Sequence, residues 1–239
     1  MLNIDYLKNR MQQIEVKNPH KEIKYVNFEE GKTYSVRFLP MDNGNFCKEY
    51  WLYYGIANQF FRCTFKEGKP DPIKEEFDRS MQVEELKNNW NYMKAFKPKL
   101  RCAAPVIVRG EEHKGVQVFT FNEKIYKDLI SIFISPKYQN AVDPVSGFDL
   151  EIKAYKTREN WLRFDIKPAE LPSQLNMDIS VINDTTPNLD EIFTEYDYEK
   201  MNDLLRNYVN LNKPAQSWQS NAKQPWDAST PWNAGVKPF

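Results

Sequence analysis

Between Leu86 and Arg109 the chain has no acidic residue, while Lys87, Lys94, Lys97, Lys99, Arg101 and Arg109 are basic and Trp90, Tyr92 and Phe96 are interleaved among them. This mixture of residue types has a definite chemistry. Cations neutralise a phosphodiester backbone and release its counterions, whereas flat rings stack on unpaired bases whatever their identity, at ~1–3 kcal/mol per stacked base. Lys94, Phe96, Lys97, Lys99 and Arg101 straddle a helix-to-strand junction, so with Tyr92 they are read as groove residues. The lysines also suit the solvated face of a helix whose packed side holds Trp90 and Met93.

Residues 46–65 contain eight aromatic side chains, too many for the interior of one small barrel when strand faces alternate. Some must point outward. With Trp51 and Tyr53 inward, Tyr50 and Tyr54 face out beside Arg62 as a stacking platform; the opposite phase exchanges the roles. Phe119 and Phe121 pose the same choice one hairpin later. Arg37, Arg109 and Lys114 complete the candidate contact set, with Lys156 and Arg158 next in line.

Catalytic patterns are sparse. Asp149, Glu151 and Lys153 on one strand face have the D…ExK spacing in which two carboxylates hold Mg²⁺ and a lysine assists water. A half-buried strand reads charged-apolar-charged for ordinary reasons as well. The chain offers no glycine-rich phosphate loop, no Ser-His-Asp set and only two histidines. Cys47, Cys63, Cys102, His20 and His113 include no closely spaced pair for tetrahedral zinc, so neither a metal site nor another cofactor is expected. The expectation is a binding protein, not an enzyme, and single-stranded RNA would suit the same surface.

The elements that must position these residues follow from charge and periodicity. Lys+Arg and Asp+Glu both total 33, but the charge is unevenly spread: residues 1–110 carry 19 basic and 14 acidic side chains, 111–170 carry 9 and 10, 171–212 carry 2 and 8, and 213–239 carry 3 and 1. A basic front half and an acidic later segment suit one part that meets phosphates and another that repels them or binds partners. The odd cysteine count points to a reducing compartment, and the absence of a long apolar run points away from a membrane; a cytoplasmic protein is expected.

Residues 1–30 form an N-terminal arm and linker. There Asn3 precedes Ile4, Leu7, Met11 and Ile14 at helical spacing with Lys8 and Arg10 on the polar side, and residues 18–31 hold one short strand. Residues 31–170 form the core: strands around Tyr34–Phe38, 49–56 and 58–64, a long helix over 73–96, a hairpin at 99–121, a helix capped by Asn122, and a second hairpin built on Phe148, Leu150, Ile152 and Ala154 inward with Tyr155 outward. These short strands with interposed helices predict a mainly β fold with helices, a small Greek-key barrel of the OB type. Residues 171–212 supply an acidic connection and helix with Leu189, Phe193, Met201, Leu205 and Tyr208 on one face. Residues 213–239, rich in Pro, Gln, Ser and Asn with three isolated tryptophans, are expected to be disordered alone.

The ordered blocks TYSVRFLP, EYWLYYG, Cys63 before the inserted helix, KPKLRCAAPVIVRG, EEHKG, VQVFTFNEKIYKDLISIF and SGFDLEIKAY resemble the core of the T-even-phage single-stranded DNA-binding (helix-destabilising) protein family, over roughly residues 30–165. The resemblance implies a protein that coats single strands during replication, recombination or repair, in the host cell cytoplasm if phage-encoded. It also implies self-association along the strand through a basic arm, where Lys8 and Arg10 fall, and a C-terminal segment for replication and recombination proteins. Two departures stand out. The family's zinc is held by one His and three Cys, whereas here Tyr54 stands near the expected His and only Cys63 remains of the cysteines. The family's C-termini are strongly acidic, whereas here the acid lies earlier, in 178–203, and PWDASTPWNAGVKPF follows.

Overall fold

The structure is a computed structural model that describes residues 22–41, 44–57, 59–159 and 161–212. The expected arm helix with Lys8 and Arg10 and the Trp-containing segment 213–239 lie outside the described residues.

The strands are β1 (Thr33–Phe38), β2 (Lys48–Tyr53), β3 (Phe61–Arg62), β4 (Lys99–Val108), β5 (Gln117–Asn122), β6 (Leu150–Lys156) and β7 (Leu162–Pro168). They make one antiparallel sheet in the order β3-β2-β4-β1-β6-β7, with β5 also on β4. The long strand β4 organises it. Its first half pairs with β2 and its second half with β1 along one edge, while β5 occupies the other edge through Arg101↔Asn122 to Val106↔Gln117. Both expected hairpins are present, and Leu150, Ile152 and Ala154 are buried as the alternation requires.

The sheet is open, not the closed barrel expected from sequence. β5 and β7 are not hydrogen-bonded, and the seam between them is filled by rings: Phe119 lies 5.6 Å from Phe164, and Phe28 sits edge-on to both at 5.0 Å. Burial of these rings covers the apolar seam without a further ladder, since large side chains bury area without needing backbone pairing. The linker contributes one isolated parallel bridge, Tyr25↔Val118.

The expected 73–96 helix is three short pieces: α1 (Pro72–Ser80), α2 (Glu84–Lys87) and α3 (Trp90–Met93). Asp71 starts α1 by accepting from the Ile73 and Lys74 amides at 3.0 and 3.1 Å, with Pro72 at the first helical position. The chain becomes extended at Val83, and Asn89 caps α3 through the Tyr92 amide at 3.0 Å. Short polar side chains favour such caps over helix interiors, which is why apolar periodicity alone overran the breaks. The helix over Glu123–Phe133, α4, is capped by Asn122 as expected, through the Ile125 amide at 3.1 Å. Beyond β7 the presumed connection contains a helix, α5 (Ile179–Thr185), and the acidic segment forms only one α-helix, α6 (Tyr198–Asn212). Strand β3 spans two residues, shorter than expected.

Two main packing units result. The inner sheet face joins Phe38, Cys102, Val106, Phe119, Phe121, Leu129 and Ile152. The inserted helices pack with α6 through Tyr53, Ile73, Tyr92 and Phe96 against Met201, Leu205 and Tyr208. Among the described residues no helix is long and apolar enough to cross a membrane.

Candidate nucleic-acid interface

Alternation along β4 turns Cys102, Ala104 and Val106 inward and leaves Lys99, Arg101 and Ala103 on the outer face. The register sets Lys99 beside Leu52, and Arg101 between Tyr50 and Asn122. The outer face of β2, β4 and β5 is therefore both basic and aromatic.

Part of that face is covered by the chain itself. Leu189 and Phe193 pack over Tyr50, Leu52, Ala103 and Val118. The Tyr50 hydroxyl donates to the Leu189 carbonyl at 2.5 Å, and the Phe193 ring meets Tyr50 edge-on at 4.8 Å. Carboxylates accompany the cover: Asp190 pairs with Lys48, and Glu195 pairs with Arg62 at 3.0 Å and with Lys69. Tyr50 and Arg62 are thus not the exposed platform expected of them. Burial raises the Tyr50 hydroxyl pKa well above its ordinary value.

Beside the covered part lies a row of cations and rings. At one end Trp90, 63% exposed, lies under Lys97, whose Nζ is 4.9 Å from the ring centroid. Next come Tyr54, partly buried against the Leu189–Phe193 cover, with Lys99 Nζ 5.8 Å from its ring and Phe60 at 5.7 Å, and then the outward side chain of Arg101. Such cation–ring contacts leave faces and charges at the surface. From there the band enters a pocket of about 90 Å³ whose polar lining is Arg101, Thr120, Asn122, Lys124, Asp128, Tyr155 and Arg163. It opens into a cleft of about 740 Å³ between α4 and the β6–β7 hairpin, lined by Lys124, Lys153 and Tyr155 together with Asp128 and Asp165, and by Ile132 and Phe164. Trp161, 64% exposed, marks the hairpin turn.

The structure therefore brings together Tyr54, Lys97, Lys99 and Arg101 from the sequence-predicted set, with exposed Lys94 nearby at the end of α3. Others are placed elsewhere. Tyr92 and Phe96 are 2% exposed in the helical layer; Tyr92 stacks on Tyr208 and donates to Glu76 at 3.2 Å, and burial pushes its pKa up to about 12. Phe119 and Phe121 are both core. Lys114 is exposed at the far β4–β5 turn, paired with Glu111 at 2.8 Å. Arg37 is fully buried and, with Arg109, is committed to Asp149 at 2.9 and 3.0 Å. Side chains so committed inside the fold cannot reach a strand lying on its surface.

Asp149 is correspondingly spent. It accepts from Arg37, Arg109 and the Ser173 hydroxyl, whereas Glu151 and Lys153 point to solvent from β6, so no paired-carboxylate site forms there. Among the described residues no group of three or more His, Cys, Asp or Glu side chains is arranged to hold a metal. The three cysteines are buried and free, and burial raises the Cys63 thiol to about 11.

Sequence reasoning missed Trp90 as a surface ring and Trp161, Arg163 and Lys124 as members of the band. A signal existed for one of them: the outward alternation of Tyr155, once the hairpin register Tyr155↔Arg163 is applied, puts a cation beside that ring. No protein-family model matches this chain, and no curated protein matches it.

Proposed function

We propose that this protein binds single-stranded DNA without base-sequence specificity, along the band from Trp90 to Trp161, on a core of OB type, and that it is not an enzyme. The observation that carries the proposal is the alternation of rings and cations along that band: exposed Trp90 with Lys97, partly buried Tyr54 with Lys99, Arg101, then exposed Tyr155 with Lys124 and Arg163. Neutralised phosphates and stacked bases need that alternation and no recognition helix.

The connectivity supports an OB-type core. Without the inserted β2 and β3, the strands run β5-β4-β1-β6-β7, with α4 between the third and fourth strands of the chain order β1, β4, β5, β6, β7. OB folds are partly open five-stranded Greek-key barrels that bind oligonucleotides on the face of their second and third strands and through the loops after the first and fourth. Here those features are the β4–β5 face, the long insertion that carries Trp90 and Lys97, and the β6–β7 turn that carries Trp161. The resemblance of the sequence blocks to the T-even-phage family points the same way. By that resemblance, bound copies coat strands opened in DNA replication, recombination and repair, self-associate along them, and meet other proteins of those processes through the C-terminal segment.

Fluorescence anisotropy with a labelled mixed-sequence 20-mer tests the proposal. The single strand is expected to bind more tightly than its duplex, with affinity falling steeply as salt rises. Tighter binding to the duplex would overturn it, and a matched RNA strand reports whether the 2′-hydroxyl is sensed.

A further inference from the structure

Along the outer face the cations come one to a ring: Lys97 stands over Trp90 and Lys99 over Tyr54. One cation suits one phosphodiester, which carries a single charge. The small pocket after Arg101 departs from that pattern. The β4–β5 register sets Arg101 opposite Asn122, the cap of α4, with Lys124 two residues further on, and the β6–β7 register sets Arg163 opposite Tyr155. Cations from β4, α4 and β7 therefore meet around about 90 Å³, with the Asp128 carboxylate on the same lining.

These charges are unpaired. Lys48, Arg62 and Lys69 are each held by carboxylates, whereas Arg101, Lys124, Arg163 and Asp128 make no salt bridge or side-chain hydrogen bond among the described residues. Like charges lining so small a pocket repel one another until an anion joins them. Three cations less one carboxylate leave a surplus of two, which matches a phosphate monoester near neutral pH and exceeds the single charge of a diester. The volume agrees, since room for about three waters suits a phosphate group and is too small for a nucleoside. Guanidinium groups grip phosphate oxygens two at a time, and the Thr120 hydroxyl adds a donor on the β5 side. The larger cleft shares Lys124, Asp128, Tyr155 and Phe164 with the pocket, so a nucleoside joined to the phosphate has space beside the exposed Tyr155 ring.

We propose that this pocket is a subsite for a terminal phosphate monoester, by which the protein recognises the phosphorylated end of a single strand. Arg101, Lys124 and Arg163 hold the phosphate, Tyr155 stacks on the terminal base, and the strand runs back past Lys99 and Lys97 to Trp90. The inference rests on the proposed function of the band. On a copy inside a coated strand the chain passes on towards Trp161; on the copy at the end, the pocket takes the terminal phosphate.

Anisotropy titrations of the full-length chain with an internally labelled 20-mer bearing a 5′-phosphate, a 3′-phosphate or neither test it. One phosphorylated form is expected to bind at least ~10-fold more tightly than the unphosphorylated form, the gain from a charge-assisted hydrogen bond or more, and which form it is gives the polarity of the strand. Arg163→Ala and Lys124→Ala, both at exposed positions, should each shrink that ratio of affinities several-fold, whereas Lys97→Ala should weaken all three forms alike and keep the ratio. Equal wild-type affinity for the three forms, equal gains from the two ends, or a ratio that both pocket variants leave untouched would overturn the inference and leave the band standing. Binding of a phosphorylated form alone would overturn the band and leave the pocket. Failure to bind any form would overturn the proposed function, and the inference with it.

Discussion

The Arg37 guanidinium lies 2.9 Å from the Asp149 carboxylate with no exposure to solvent, and it also donates to the carbonyls of Asp143, Gly147 and Ser173 at 2.8, 2.9 and 2.7 Å. Two residues that sequence patterns place in a nucleic-acid contact and in a nuclease site are thereby one internal clamp. It fastens β1 to the loop before β6 and to the connection after β7. Removing one partner strands the other, so Arg37→Ala and Asp149→Ala are each expected to lose ~3–5 kcal/mol in urea unfolding. Gly147→Ala should also destabilise the fold, because a Cβ there would stand 2.3 Å from the Asp143 carbonyl. Folded Arg37→Ala protein is expected to bind single strands with wild-type affinity; a selective loss of binding at unchanged stability would restore Arg37 to the interface.

The band makes a contrast between cations and rings. Lys97→Ala, Lys99→Ala and Arg101→Ala should each reduce the slope of log K against log salt by ~0.7, one phosphate contact on a single strand. Trp90→Ala and Tyr155→Ala should weaken binding by ~1–3 kcal/mol at every salt concentration and leave the slope alone. Tyr92→Ala should instead cost stability, ~3–5 kcal/mol for a large buried ring, because that ring packs on Tyr208 and not on a base. Equal effects from lysines outside the band, such as Lys137, would show a generally basic surface in place of a groove.

The cover over Tyr50 has its own signature. Neutralising its carboxylates with Asp190→Asn and Glu195→Gln frees Lys48 from its pair, leaves Arg62 and Lys69 with Glu67 alone, and should raise affinity for single strands several-fold at low salt, with the gain vanishing as salt screens the charges. Phe193→Ala should destabilise the fold, since Leu189 and Phe193 are packed into the outer sheet face. Unchanged low-salt affinity in the double variant would place the cover outside the field of the bound strand.

Acid should loosen the loop before β6. The Asp143 carboxylate accepts the Ser146 and Val145 amides at 2.6 and 2.9 Å, and these bonds hold its pKa below the ordinary value. A carboxyl whose folded value is depressed contributes stability that is complete above its unfolded value, ~3.9, and is lost as pH falls through the folded one. Asp143→Asn keeps an acceptor and removes the charge. Its Tm should therefore fall less steeply than that of the wild type below about pH 4; parallel acid limbs would assign the loss to other carboxylates.

Much of the core was readable because its signals are local. The alternation through Leu150, Ile152 and Ala154, the charged turn after Val108 and the Asn122 cap each depend on residues within one hairpin or one helical turn. What failed depends on residues far away in the chain. Whether Tyr50 faces water is decided by Leu189 and Phe193, well over a hundred positions later, and whether Tyr92 is a stacking ring is decided by Tyr208. The same holds for Arg37, whose acceptors come from two distant loops. Alternation tells which face of a strand a ring is on, but not what lies over that face. The open seam has a similar origin, since contacts between Phe28, Phe119 and Phe164 join three separate segments.

The most direct measurement is the affinity for one labelled 20-mer, single-stranded and as duplex, across a salt series, for the wild-type chain and for Trp90→Ala with Lys97→Ala. The wild type is expected to prefer the single strand at every salt concentration. The double variant is expected to lose ~1–3 kcal/mol of that binding together with ~0.7 of the salt slope. Equal or tighter binding to duplex, or a double variant indistinguishable from wild type, would contradict a single-strand groove that begins at Trp90.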